Sequence, residues 1–221
     1  MCGRFSFVVK KEKVKKQLPQ VNVDNGLLES YNIAPTQKAH VLAQPLPTTL
    51  QMMQWGLIPH WSKDGKGGAS LINARVETIV EKPSFRESIQ WRRCVVLADS
   101  FYEWRTEGGR KFPYRIQLPN DELLLMAGIW DEWNNVKTFS IITTEPNAEM
   151  SKIHNRMPVI LRGYKDCEKW LGKTDLSDIL NMCKKPEIDF LRIHRVSEKI
   201  NSVKNNSADM HNEVPEELRL F

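Results

Sequence analysis

Four short hydrophobic segments between residues 94 and 143 constrain the fold most strongly. They span residues 94–98, 112–118, 123–130 and 138–143, and turn residues separate them. Strand patterns at this spacing, with no helical pattern between them, favour an antiparallel sheet or barrel over alternating strand–helix units. We therefore predict an α+β fold with a β-rich core, an antiparallel, barrel-like mixed sheet flanked by short helices.

The rest of the chain adds shorter elements to this core. Further strands are predicted at residues 3–9, 40–44, 50–55, 159–161 and 193–196, and helices at residues 10–18, 84–90, 146–153 and 165–183. Ser84 and Glu87 have the spacing of a capping box for the second of these helices. Residues 62–70 form a Gly-rich loop, and a polar tail from about residue 201 is expected at the surface. Because no shift in composition divides the chain, we expect one domain over residues 1–221.

Composition excludes several classes of protein. Hydrophobic residues make up 41% and charged residues 27% of the 221 residues, which is typical of a globular chain. The longest apolar run has eight residues, whereas a membrane span needs about 20, so we expect no membrane association. No apolar segment follows Met1, so the expected compartment is the cytoplasm. A formal charge of +5 permits a phosphate-bearing partner without requiring one.

The four cysteines are too scattered for a metal site. No two of them form a Cys-x-x-Cys pair and no histidine cluster joins them, so neither a metal nor a cofactor is expected. In a reducing compartment they should be free thiols. The first of them, Cys2, is exceptional because removal of Met1 would leave its thiol beside a free α-amine. Such a 1,2-aminothiol condenses with an aldehyde to an imine, which the thiol then closes to a thiazolidine. The alternative is an incidental residue at a frayed terminus.

Other side chains with catalytic potential lie in three segments. Asn73 and Arg75 follow the Gly-rich loop, where they could bind a phosphate or simply form a turn and a solvated cation. Glu103 lies between two aromatic residues. If they partly shield its carboxylate from water, the pKa of Glu103 should rise into the range of a general acid or base, although Glu103 could equally be a surface acid. His154 is the natural proton-transfer group near neutral pH, but at the end of a predicted helix it could also serve the helix dipole.

Two tryptophans lie near the Gly-rich loop, and one of them could stack on a nucleic-acid base. Trp61 lies next to lysines of the loop, and exposed aromatics near cations suit single-stranded nucleic acid. Trp55 is expected in the core instead. The basic run at residues 10–16 is expected to be a solvated helix face.

Six segments in this order resemble the SRAP family, whose name stands for SOS-response-associated peptidase and whose members process abasic sites. The segments are MCGRF at 1–5, YNIAPTQ at 31–37, WGLIP at 55–59, NARVET at 73–78, FYEW at 101–104 and HNRMPVIL at 154–161. The resemblance runs from about residue 2 to residue 206. It implies a single β-barrel-like domain and covalent capture of abasic sites in single-stranded DNA.

The resemblance also implies roles for individual residues. Cys2 would form the thiazolidine with C1′ of the opened sugar, Asn73 would position the site, Glu103 would protonate intermediates and His154 would open the sugar ring and help to reverse the link. The phosphate contacts implied are Arg4, Arg75 and Arg156, with Trp61 stacking at a strand–duplex junction. A weak lyase activity, a monomeric state and nucleoid association when bound to DNA are further expectations.

Two other functions remain open on the sequence alone. In an N-terminal-nucleophile hydrolase, the Cys2 thiolate would attack an amide and Asn73 would line an oxyanion hole. A non-catalytic single-strand binding module would bind intact and abasic strands equally well. A stable one-to-one adduct distinguishes the crosslinking protein from both.

Overall fold

The computed structural model describes residues 2–23, 26–65, 67–184 and 191–215. The strands of this part of the chain are β1 (Arg4–Phe7), β2 (Ser30–Ile33), β3 (Lys38–Ala43), β4 (Leu46–Trp55), β5 (Asn73–Arg75), β6 (Arg93–Ala98), β7 (Ser100–Glu107), β8 (Arg110–Gln117), β9 (Leu124–Trp133), β10 (Val136–Thr144), β11 (Met157–Pro158), β12 (Ile160–Leu161) and β13 (Arg192–Arg195). The α-helices are α1 (Lys11–Gln17), α2 (Ser88–Trp91), α3 (Gly163–Leu171) and α4 (Leu176–Met182). Turns of 3₁₀ helix occur at Val76–Thr78, Pro119–Asp121, Met150–Lys152, Glu198–Asn201 and Ala208–His211.

Five strands close into a barrel. Their order is β10-β4-β3-β6-β9, and β9 pairs with β10 to complete the ring. The β10–β4 pairing is parallel, with Phe139 opposite Trp55, and the other pairings around the ring are antiparallel. Further along β10, β5 also pairs in parallel and places Asn73 opposite Ile141. Asn73 therefore lies on a short strand that is attached to the barrel through β10.

A second, antiparallel sheet has the order β13-β8-β7-β1-β2. Strand β1 lies between β2 and β7, and Arg4 is opposite Tyr102 in the register. Cys2 lies two residues before Arg4, and Glu103 lies one residue after Tyr102. The N-terminal segment is thus held beside the aromatic segment that the sequence singled out.

Aromatic packing joins the two sheets. The Phe5 ring on β1 lies 5.0 Å from the Trp55 ring on β4, edge to face, and Trp55 stacks in turn on Phe139 at 6.4 Å. All three side chains are fully buried. The Trp55 indole N–H donates to the carbonyl of Ile72 at 2.9 Å, so the polar atom of this large side chain is satisfied.

The predicted α+β class with a barrel-like, β-rich core is confirmed. The four segments that carried the prediction are strands β6, β8, β9 and β10. The strands predicted at residues 3–9, 40–44 and 50–55 and the first helix also form, with shifted ends. Trp55 is in the core, as expected, and the four cysteines are free and buried.

Three helix predictions need correction. Residues 146–153 contain one 3₁₀ turn, Met150–Lys152, because the Asn147 side chain accepts from the Met150 amide and starts a turn too short to propagate. The helix predicted at 165–183 breaks at Gly172 into α3 and α4. Helix α2 begins after Glu87, so Ser84 is not its N-cap.

Hydrogen bonds attach the polar tail to strand β2 of the second sheet. The buried Asn32 amide on β2 donates to the carbonyls of Ser202 and Asn205, at 3.0 and 2.7 Å. Met210 is buried against Tyr102 in a small cluster of its own. We call residues 198–211 the C-terminal strap. Its backbone crosses the sheet that carries β1.

Candidate active site

The site forms where the barrel meets the N-terminal segment. Asn73 of β5 donates a 2.8 Å hydrogen bond from its side-chain amide to the carbonyl of Cys2. The Cys2 side chain is fully buried, with Sγ 3.9 Å from the Arg4 carbonyl. Burial, and then the charge of Glu103, raise the pKa of the Cys2 thiol far above its usual range. The thiol is therefore neutral at pH 7.

Glu103 and His154 face each other beside Cys2. Oε2 of Glu103 lies 4.0 Å from Nε2 of His154. The Glu103 side chain is buried, and burial raises the pKa of its carboxyl to about 7. Glu103 is thus close to half-protonated at neutral pH, the condition that suits a general acid or base.

Hydrogen bonding orients the His154 ring. Its Nδ1 accepts from the Arg156 amide at 3.1 Å, so the neutral ring carries its proton on Nε2, toward Glu103. Burial is the main cause that lowers the pKa of His154, and the charges of Lys111 and Arg156 act in the same direction. His154 follows a single 3₁₀ turn, so the helix-dipole alternative lacks its helix.

A cavity of about 380 Å³ opens at this pair. Glu103, Trp104, Thr106, Lys111 and His154 line it. This opening adjoins the buried acid and the oriented imidazole. A small carbonyl compound that entered it would meet groups able to donate and accept protons.

The arginines assigned to phosphate already have acceptors within the protein. Arg156 is buried and makes a bidentate pair with Glu77, at 2.7 and 2.9 Å, and donates to the Thr143 carbonyl at 2.6 Å. Arg4 donates to the Asn32 side chain at 2.5 Å and to the Ile200 carbonyl at 2.7 Å. Both side chains thus hold elements of the site together.

The other two candidates lie at the surface. Arg75 is exposed at the end of β5, two residues after Asn73. Trp61 is 56% exposed and directly precedes the Gly-rich loop, so its side chain is available for stacking. The structure therefore brings Cys2, Asn73, Glu103 and His154 together, and leaves Arg75 and Trp61 open to a partner.

Sequence reasoning missed four residues that shape the site. Asn32 lies in the YNIAPTQ segment without a predicted role, and the sequence predicts no pairing of Glu77 with Arg156. Trp104 lines the cavity, and its indole N–H donates to the Asn201 side chain at 2.8 Å. Lys111 is brought in by the β7–β8 hairpin. The Gly108–Gly109 pair between two strand patterns would have indicated that hairpin.

No group of three or more histidine, cysteine or acidic side chains within the described residues could hold a metal ion. No helix in the same part of the chain is long and apolar enough to cross a membrane.

Comparison with known proteins identifies relatives over nearly the full length. The family model for SOS response associated peptidase (SRAP) matches residues 1–203. The abasic site processing protein YoqW of Bacillus subtilis is 40% identical over 95% of this chain and 98% of its own length. The abasic site processing protein HMCES of Gallus gallus is 32% identical over 88% of this chain and 69% of its own.

A solved structure shares the fold. A protein from Bacteroides thetaiotaomicron, known by its crystal structure, superposes with a TM-score of 0.85 at 29% identity. It covers 96% of this chain and 100% of its own.

Proposed function

The chain belongs to the SOS response associated peptidase family, and we propose that it processes abasic sites in single-stranded DNA by covalent capture through Cys2. The names of YoqW and HMCES support the class of substrate. The single observation that carries the chemistry is the grouping at residue 2: Asn73 is hydrogen-bonded to the Cys2 carbonyl, and Glu103, whose charge raises the pKa of the Cys2 thiol, faces His154 at 4.0 Å. An abasic deoxyribose contains a latent aldehyde, the electrophile that an aminothiol traps.

The first step is opening of the sugar ring. In the closed form, C1′ is part of a hemiacetal, and opening requires loss of the hydroxyl proton and protonation of the ring oxygen. Glu103, close to half-protonated near pH 7, serves both needs: its carboxylate takes the hydroxyl proton, and the resulting acid donates a proton to the ring oxygen. The Nε2–H of neutral His154 donates a hydrogen bond to the ring oxygen and stabilises the charge that develops there as the ring opens. The product is the open-chain aldehyde.

Capture then proceeds in two bond-forming steps. After removal of Met1, the α-amine of Cys2 adds to C1′, and loss of one water, assisted by Glu103, forms the imine. The thiol next adds to C1′, and its proton passes to the nitrogen as the thiazolidine closes. Asn73 holds the carbonyl of residue 2, which limits the positions that the reacting amine can take.

Burial of the Cys2 thiol favours this chemistry over peptide hydrolysis. A cysteine hydrolase needs a thiolate, which forms where the pKa of the thiol is lowered. Here burial and the charge of Glu103 raise that pKa. In thiazolidine formation the amine attacks first and the thiol adds to an activated imine, so a neutral thiol suffices.

A denaturing gel tests the proposal. Untagged protein is mixed with a single-stranded oligonucleotide that carries one abasic site, beside Cys2→Ala and beside intact DNA. We expect a shifted band that survives denaturation for wild type with abasic DNA alone. The α-amine of the Cys2→Ala variant can still form an imine, so some strand cleavage by β-elimination is expected there.

A tagged protein that retains Met1 supplies the matched control, since its thiol is intact and its Cys2 amine is part of a peptide bond. It should fail to form the adduct. An adduct at the wild-type rate would refute the role of the amine. Turnover of peptide substrates without any DNA adduct would instead support the hydrolase.

A further inference from the structure

Lys111 is a cation at the mouth of the candidate site that the sequence resemblance did not assign. It lies on β8 opposite Thr106 of β7, and both side chains line the cavity with Glu103 and His154. Lys111 and Thr106 are exposed. A basic and a hydroxyl side chain therefore stand side by side at the rim of the opening.

Lys111 has no ion-pair partner in the described part of the protein, in contrast to Arg156, which is bound to Glu77. Its field reaches into the site, since after burial its charge is among the causes that lower the pKa of His154. Ammonium groups that keep their charge uncompensated at a cavity rim favour an anion there.

We propose that Lys111, with Thr106, binds a phosphate of the DNA strand next to the abasic sugar. This inference rests on the proposed function, which places a sugar with a phosphate on either side at this cavity. A lysine ammonium binds phosphate as a compact charge, and threonine hydroxyls also donate to phosphate oxygens. Arg4 and Arg156 are already hydrogen-bonded to acceptors within the protein, whereas Lys111 would lose only bound water when it contacts a phosphate.

Binding of an intact single strand isolates this contact from the covalent chemistry. The affinity of a fluorescent oligonucleotide without an abasic site is measured by anisotropy for wild type and Lys111→Ala over a range of salt concentrations. Each phosphate contact on a single strand contributes about 0.7 to the slope of log K against log salt. We expect Lys111→Ala to lower that slope by about this amount and to weaken binding roughly five- to tenfold at about 0.05 M salt.

Arg110→Ala is the matched control. Arg110 precedes Lys111, so its side chain leaves the opposite face of the strand, where it lies over the Phe112 ring and pairs with Glu198 at 3.4 Å. The same charge is removed from a position outside the cavity. Lys111→Arg should recover the affinity, because it restores a phosphate-binding cation. Thermal unfolding of all three variants shows that each remains folded.

The outcomes separate this inference from the proposed function. Equal losses for Lys111→Ala and Arg110→Ala would show a general charge effect and refute a contact at Lys111. Unchanged binding by Lys111→Ala, in a protein whose wild type captures abasic DNA, would refute the Lys111 contact alone. Failure of wild type to bind the strand and to form an adduct would refute both.

Discussion

The side-chain amide of Asn73 is hydrogen-bonded to the main-chain carbonyl of Cys2 at 2.8 Å. Asn73 belongs to β5, which pairs with β10 of the barrel, whereas Cys2 precedes β1 of the second sheet. This hydrogen bond therefore connects β5, which is attached to the barrel, to the segment that precedes β1 of the second sheet. It fixes the backbone of the residue that we propose as the nucleophile.

Asn73→Ala should slow adduct formation. Loss of one hydrogen bond of about 1 kcal/mol leaves residue 2 less well positioned, and this free energy corresponds to roughly a fivefold lower rate. The rate is measured from the denaturing gel as a time course with abasic DNA. Affinity for an intact strand should stay at the wild-type value. An unchanged rate would remove the positioning role of Asn73.

Glu103→Gln should stabilise the protein at pH 8 and not at pH 4. Burial raises the pKa of Glu103 in the folded state to about 7, so above its unfolded value the native protein holds a proton that the unfolded chain releases. Ionisation of the buried carboxyl therefore lowers the free energy of unfolding as pH rises from about 4.5 to 7. Glutamine does not ionise, so the variant does not have this loss of stability. Urea unfolding at both pH values measures the difference.

The same substitution should reduce capture. A glutamine cannot deliver the proton that loss of water requires, so the rate of adduct formation by Glu103→Gln should be low and should show no decrease above about pH 7. Wild type should slow down above about pH 7 as Glu103 loses its proton. A variant that captured DNA at the wild-type rate would contradict this role.

Glu77→Ala should destabilise the fold by about 1–3 kcal/mol. Its carboxylate is the bidentate partner of the buried Arg156 guanidinium, which would be left with the carbonyl and hydroxyl oxygens of Thr143 as acceptors. Glu81→Ala is the control, because Glu81 is an exposed acid in the next turn of the chain. Equal urea midpoints for the two variants would show that the pair contributes nothing to stability.

Asn32→Ala should release the C-terminal strap. The Asn32 side chain is 1% exposed, donates to two strap carbonyls at 3.0 Å or less and accepts from Arg4. Hydrogen exchange at residues 198–211 should therefore become faster while exchange in the barrel stays slow. Asn181→Ala, at an exposed position of α4, should leave both unchanged. Uniformly faster exchange throughout would indicate global destabilisation instead.

The β-rich core could be predicted because its strands have local signals. The segments at 94–98 and 123–130 are continuous apolar runs between turn residues, and burial on both faces of a barrel strand requires such a pattern. The single domain over residues 1–221, the monomeric state and the cellular location stay predictions.

The missed elements depend on contacts distant in sequence. Strand β5 has three residues and exists because β10 pairs with it, and β2 was overlooked for a similar reason. Strand β7 could have been identified from the Gly108–Gly109 turn, where both glycines have positive φ. The acceptors bound by Arg4 and Arg156 are set by tertiary packing, which residue type does not reveal.

Intact mass spectrometry of the protein–DNA adduct, followed by peptide mapping, tests the central claim most directly. Thiazolidine formation at Cys2 requires a one-to-one adduct equal in mass to the protein without Met1 plus the abasic oligonucleotide, less one water. The modified peptide should begin at Cys2, and the link should survive denaturation without a reducing agent, as a thiazolidine does and an imine does not. Protein confirmed to lack Met1 that forms no adduct, or an adduct at an internal residue, would contradict it.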